Sequence, residues 1–219
     1  NLGMAGPAMI EGGGLGTYAP EDIGPVDVQT ENGVIDILVP DDAAAVVAAK
    51  HYLSYFQGSL SDWESHDQTA MRDVVPENRK RIYDAREAVT LLSDIDAVLE
   101  LRPLFGRSIV TALARIEGRP VGIIANDPGH LGGAIDSDSA DKASRFMQLC
   151  DAHGLPLISL CDTPGFMVGP EAEKTAQVRH FGRMFVTGAS LAVPLVSVIL
   201  RKAVGLGAMA MAGGSFHRN

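Results

Sequence analysis

From Ile109 onward, apolar residues fall into short blocks separated by glycine-bearing turns. "IVTALARI" and "VGIIAN", joined by "EGRP", are β-branched on both arms and predict a β-hairpin. In "SADKASRFMQLCDAHG", Ala143, Phe146, Met147 and Cys150 stand at i, i+3, i+4 and i+7, which makes one helical stripe with Gly154 as its stop. "LPLISLCD" reads as a buried strand, "TPGFMVGP" as a loop, and "EAEKTAQVRHFGRMFVTGAS" as a second helix with Val178, Phe181 and Phe185 inward. "VPLVSVIL" is a continuous apolar run, the pattern of a strand covered on both faces of its sheet.

The pattern upstream is weaker. "NLGMAGPAMIEGGGLGTYAPEDIGP" is rich in Gly and Pro and reads mostly as loops and turns. "PDDAAAVVAAKHYLSYF" predicts a helix to about Phe56, capped by Asp41 or Asp42. "QGSLSDWESHDQTAMRDVVPENRKR" is polar, carries Pro76 and reads as a linker. "YDAREAVTLLSD" then predicts a short helix and "AVLELR" a strand.

The resulting order, β-β-α-β-α-β-loop-α, is that of an α/β fold. In open α/β sheets the loops after strand C-termini gather on one edge, where ligands bind. Here those loops are "NDPGHLGGAID", "DTPGFMVGP" and "RKAVGLGAM", all glycine-rich. Glycine lets backbone N–H groups approach a ligand closely, and at a helix start those groups lack intrahelical partners. Their natural guest is a negative oxygen, either a phosphate or an oxyanion formed during reaction. "RKAVGLGAMAMAGG" contains no Ser, His, Cys, Asp or Glu, so any catalysis there falls to the backbone. Neither a dinucleotide fingerprint nor a P-loop motif is present.

Composition narrows the picture. The chain has 219 residues and a net charge of −9, which argues against a nucleic-acid or anionic-membrane role. Cys150 and Cys161 both sit in apolar runs and read as buried free thiols of a reducing compartment: the cytoplasm, or the mitochondrial matrix in a eukaryote. No apolar run reaches membrane-spanning length. The chain begins at Asn1 within a glycine-rich phrase and stops at "GGSFHRN", as expected of a piece of a longer polypeptide.

Several side chains compete with the glycine loops. His130 lies in a loop with no partner for a triad, and His180 follows Arg179 on a face expected to be structural. Glu171 and Glu173 open a helix, where acids ordinarily serve the dipole, although a hydratase would use two glutamates. Asp136, Asp138 and Asp141 resemble a metal-binding run but lack its Gly turn and distal Glu, so capping by Ser137 or Asp138 is the expectation, with no metal. Arg201 and Lys202 either meet a ligand phosphate or pair with surface acids, and their place beside the glycine loop favours the ligand.

The stretch from "GRPVGIIANDPGHLGGAIDSDSADKASRFMQLCDAHGLPLISLCDTPGF" to "LRKAVGLGAMAM" closely resembles the C-terminal half of the carboxyltransferase component of biotin-dependent acyl-CoA carboxylases. "PENRKRIYDAREAV" and "RSIVTALARIEGRP" match that family's lead-in, and "GPAMIEGGGLGTYAPEDIG" the close of its N-terminal half. The resemblance covers nearly the whole chain. It implies a crotonase-like fold of ββα units wound into a superhelix. Residues 1–56 would end the N-terminal carboxyltransferase domain, 57–82 would form a linker, and 83–219 would begin a truncated C-terminal domain.

The implied reaction moves CO₂ from carboxybiotin, on a carrier domain, to the α-carbon of an acyl-CoA thioester, with no metal in this segment. One amide pair in the N-terminal domain holds the thioester oxyanion, and another in the C-terminal domain holds the ureido oxygen of biotin. The freed biotin nitrogen serves as base. By position the second pair falls in Gly205, Leu206, Gly207 and Ala208, at Leu206 and Gly207. The family often shows two adjacent glycines followed by Ala-Tyr, whereas here Leu206 separates the glycines and no Tyr is near. Leu131, Gly132 and Gly133 with Pro164, Gly165 and Phe166 would wall the biotin side, and Met209 falls near a position tied to acyl-chain selectivity. Under this resemblance the ligand phosphate for Arg201 and Lys202 would be that of CoA.

The implied partners are a biotin carboxyl carrier domain, a biotin carboxylase domain or subunit, and further copies in a homo-oligomer whose active site forms at the dimer interface. The alternatives are a biotin-dependent decarboxylase acting on a malonyl- or glutaconyl-type CoA, a hydratase, and a non-catalytic assembly module.

Overall fold

The computed structural model describes residues 1–215. Residues 216–219, with which the expected C-terminal domain ends, lie outside the described residues. The N-terminal stretch to Pro25, expected mostly as loops and turns, contains one short helix, α1 (Pro7–Gly12), and a second, α2 (Val26–Glu31), follows it. Pro7 occupies the first turn of α1, where its missing N–H removes no hydrogen bond. Next come α3 (Asp42–Ser54), α4 (Met71–Val74) and α5 (Ala85–Leu92). Of the two candidate caps for α3, Asp41 is the one used, accepting from Ala44 N at 2.8 Å. The segment between α3 and α5 is mostly polar, yet Val74 of α4 is buried beside Tyr83, Ala88 and Val89.

A five-stranded sheet follows: β1 (Val98–Leu101), β2 (Ile109–Ile116), β3 (Arg119–Asn126), β4 (Leu157–Thr163) and β5 (Leu195–Ala203), in spatial order β1-β2-β3-β4-β5. The first three strands are antiparallel and the last three parallel. The predicted hairpin is β2–β3. Its two-residue turn, Glu117 and Gly118, has positive φ at both positions (51° and 73°), as a tight right-twisting hairpin requires.

Alternation along β2 divides the core. Ile109 and Leu113 face α6 (Ser137–Ala152), while Val110, Ala112 and Ala114 face α5. The predicted stripe of α6 is its buried face: Ala143, Phe146, Met147 and Cys150. Its cap is Asp136, whose carboxylate accepts from Ser139 N at 2.9 Å, not Ser137 or Asp138. Helix phase decides this, because the cap must stand one residue before the first helical one and reach forward to the third.

Two expectations fail for identifiable reasons. The single helix after the 164–169 loop is two helices, α7 (Pro170–Lys174) and α8 (Gln177–Ser190), broken where Ala176 adopts a left-handed conformation (φ 56°). The break resets the helical phase, so Gln177, Met184, Thr187 and Gly188 point inward, with Phe181 and Phe185 half-buried, and Val178 is 67% exposed. Strand β5 is also not covered on both faces: it ends the sheet, and Val196 and Ile199 are 59% and 65% exposed. Helix α9 (Gly205–Met211) follows β5 directly.

Cys150 and Cys161 are free thiols buried in this fold, as expected. One contact makes the core testable. A Cβ added at Gly122 of β3 would strike the sulfur of Cys150 and lie 3.0 Å from Leu157 and 3.1 Å from Phe146. Gly122→Ala is therefore expected to destabilise the protein by ~1–3 kcal/mol. A double-mutant cycle with Cys150→Ala, read by urea unfolding, should show the penalty shrinking once the sulfur is gone. A penalty independent of residue 150 would place the strain elsewhere.

Candidate functional site

The glycine-rich loops do converge, and backbone packing brings them together. Loop 131–135 runs beside loop 164–167 in a short parallel bridge: Ile135 N donates to Gly165 O (3.0 Å) and Met167 N to Ile135 O (2.8 Å). Gly133 packs directly on the carbonyl of Asp162, leaving no room for a Cβ. The third loop closes against the second at Gly207, where an added Cβ would lie 2.7 Å from Gly165 Cα and 3.2 Å from Phe166 N. Thr163 braces the junction, its hydroxyl meeting Gly165 N and O at 3.1 Å each, and Val204 N donates to Thr163 O at 3.2 Å.

The loop that sequence places after β5 is in fact the first turn of α9. Among the described residues, no acceptor meets the amides of Gly205, Leu206 and Gly207. Ala208 differs: its N–H closes the first turn on Val204 O at 3.4 Å, which removes it from the donor set. Gly205 (φ 59°) supplies the left-handed step that turns the strand into the helix. Leu206 and Met209 present exposed apolar side chains beside the amides, whereas Gly207 is buried against Gly165. Phe166 does not offer its ring freely to a ligand, because it packs on Phe181 and Phe185 of α8 (centroids 4.8 and 6.3 Å).

Arg201 and Lys202, expected at a CoA phosphate, both hold a residue that sequence reasoning passed over. Asp162, at the C-terminal end of β4, is fully buried. One carboxylate oxygen accepts from Arg201 Nε (3.1 Å) and Tyr83 OH (2.8 Å), and the other from Lys202 N (3.1 Å). The Arg201 guanidinium also donates to the carbonyls of Arg79 (3.1 Å) and Arg81 (2.7 Å) and lies over the Tyr83 ring. Burial raises the Tyr83 phenol well above its ordinary range, and the bond to Asp162 adds to the shift. Lys202 Nζ, partly exposed, donates to Gly132 O at 2.8 Å and so ties the first loop to the third. The only sequence signal for this hub was a lone acid ending an apolar strand, "LISLCD".

Four of the competing side chains, His180, Asp141, Glu171 and Asp136, are engaged elsewhere. His180 pairs with Asp141 of α6 at 2.9 Å, and Arg183 approaches the same carboxylate at 3.5 Å. Glu171 forms a surface pair with Lys174 at 2.6 Å. Asp136 is the α6 cap. The backbone carbonyl of His130 accepts from Gly133 N at 2.9 Å, within the first loop. Among the described residues, no helix is long and apolar enough to cross a membrane.

Comparison with known proteins shows the family to which this fold belongs. The family model described as "Carboxyl transferase domain" matches residues 1–219. An uncharacterized carboxylase, YngE, of Bacillus subtilis is 40% identical over 193 residues, covering 84% of this chain and 38% of the relative. The biotin-dependent long chain acyl-coenzyme A carboxylase beta4 subunit of Mycobacterium tuberculosis is 32% identical over 222 residues, covering 96% of this chain and 42% of the relative. The solved structure of a single-chain, multi-domain long-chain acyl-CoA carboxylase superposes with a TM-score of 0.95 at 62% identity, covering 99% of this chain and 22% of the larger one. The chain thus spans about two fifths of these curated relatives.

Proposed function

Because the chain belongs to the carboxyl transferase domain family, we propose that it forms part of the carboxyltransferase of a biotin-dependent acyl-CoA carboxylase, which carries a carboxyl group to the α-carbon of an acyl-CoA. Among features of the structure, the reading rests on the amides of Gly205, Leu206 and Gly207, which lack acceptors at a junction too tight for any side chain at position 207. Such a backbone cradle suits the ureido oxygen of biotin. Biotin, when bound, supplies the carboxyl group and the nitrogen that takes the α-proton.

The chain's own residues supply charge stabilisation and position. The Leu206 and Gly207 amides steady the oxygen on which negative charge develops, each donor contributing ~3 kcal/mol to the transition state. Lys202 fixes Gly132, and with it the loop Leu131–Gly133, against the cradle. Gly165 and Pro164 form the opposing wall. Leu206 and Met209 flank the cradle with apolar surface suited to the acyl portion of the substrate. Of the two cations proposed for a CoA phosphate, Lys202 keeps an exposed face, while Arg201 is held by Asp162.

The domain reading is of a piece with this: residues 1–56 close an N-terminal carboxyltransferase domain, and 83–219 open the C-terminal one that carries the biotin-side amides. The partners are a biotin carboxyl carrier domain and a biotin carboxylase. The exposed apolar residues Val196, Val198 and Ile199 of β5, the edge strand, support burial against further protein in a homo-oligomer. Two buried free cysteines suit a reducing compartment such as the cytoplasm.

The test uses the full-length protein that carries this chain. Carboxylated free biotin and a series of acyl-CoA thioesters, acetyl to palmitoyl, should give slow transfer, followed as the α-carboxyacyl-CoA. Glu171→Gln should leave that rate unchanged. Absence of transfer across the series would reject the reading, and so would enoyl-CoA hydration that disappears in Glu171→Gln.

A further inference from the structure

A cavity of about 510 Å³ lies between α3 and α6, and none of its lining residues belongs to the glycine loops. Its walls are apolar, built from alanines of α3 such as Ala48 and from Phe146 and Leu149 of α6. Three cations line it, Arg102, Lys142 and Arg145, against a single carboxylate, Asp36. Asp36 is already committed, its carboxylate 2.9 Å from Arg102 Nε.

Lys142 is the unusual member. It lies on the buried face of α6 with 1% exposure, and its ammonium, a three-proton donor, has one acceptor, Ile109 O at 2.7 Å. A buried ammonium carries a large desolvation cost unless it is paired and hydrogen-bonded. Burial lowers its pKa to about 8, and the positive charges of Arg86 and Arg102 oppose its ionisation further, against the pull of Glu100 and Asp127. An anion entering the cavity would relieve both the missing bonds and the repulsion between Lys142 and Arg102.

We propose that this cavity is a binding site for an amphipathic carboxylate of medium chain length, with its head group on Lys142 and Arg102 and its chain against Ala48, Phe146 and Leu149. The apolar walls exclude a small hydrophilic anion as the best occupant, and the cations exclude a neutral hydrocarbon. The site stands independently of the carboxyltransferase reading, since it uses no residue of the glycine loops.

The experiment is equilibrium binding of isotopically labelled decanoate to the full-length protein, with decanol as the neutral control. One equivalent of decanoate is expected to bind at least tenfold more tightly than decanol. Lys142→Met should weaken decanoate at least tenfold while leaving decanol unchanged, and Ala48→Phe should abolish both by filling the cavity. No saturable binding, equal affinity for decanoate and decanol, or binding that survives Ala48→Phe would each overturn the proposal. Should Lys142→Met fail to fold, the decanol comparison and Ala48→Phe still decide it.

Discussion

Gly207→Val in the full-length protein is expected to lower carboxyl transfer at least ~100-fold, the usual cost of losing an oxyanion donor, while circular dichroism still reports a folded protein. The reason is steric. Even a methyl group at position 207 would lie 2.7 Å from Gly165 Cα and 2.8 Å from its carbonyl carbon, both backbone atoms that cannot step aside. Loop 164–167 and the first turn of α9 must therefore separate, and the Leu206 and Gly207 amides move with the turn. Catalysis by fixed dipoles tolerates little displacement, because the donors must already stand where charge develops. Gly205→Ala provides the contrast. It meets no atom within 4 Å but must hold φ at 59°, so it should cost roughly 1 kcal/mol of strain and reduce transfer far less. A Gly207→Val enzyme that turns over at the wild-type rate would remove the backbone cradle from the mechanism.

Asp162→Ala should be the most damaging single change to stability, by about 3–5 kcal/mol, because it strands buried charge. Arg201, with its side chain 7% exposed, would lose the one carboxylate it meets among the described residues, and Lys202 would lose the acceptor for its backbone amide. The loss should also appear optically. Asp162 helps keep Tyr83 protonated, through both its hydrogen bond and its negative charge, while Arg201 pulls the other way. With the carboxylate gone, the Tyr83 phenol should titrate at lower pH, visible as phenolate absorbance in alkaline titration. Asp162→Asn keeps the shape and should fall between the two proteins in both readings. An unchanged phenol titration in Asp162→Ala would show that Asp162 is not the anchor described here.

Much of the fold was legible in the residues, because local rules and tertiary packing agree where the period is regular. The α6 stripe and the β2–β3 hairpin came out as read, since burial of a single helical face and alternation in a strand leave little freedom of register. Where one residue resets the phase, the reading failed. Ala176 is an ordinary helix former, and nothing in its identity announces a left-handed break; yet that break rotates Val178 outward and Met184 inward. Strand β5 failed in another way. Its apolar run states correctly that the strand prefers to be covered, but not by what, and the described residues leave Val196 and Ile199 bare.

The candidate site divides along the same line. Its glycines were found because a missing side chain is a property of the sequence, and the convergence of three loops follows from the order of strands and helices. Which amides remain free was decided by the tertiary structure: the turn of α9 uses Ala208 and leaves the preceding three. Asp162 and Lys142 were invisible for a related reason. A charged residue in a chain is read as solvated by default, and only the folded surroundings of Tyr83, Arg201 and Lys202, or of a cavity wall, show what burial requires of it. Local conformation and amphipathic period are short-range and were therefore written in the chain itself. Partners brought together across dozens of residues depend on how the layers stack, and the three-dimensional structure alone determined them.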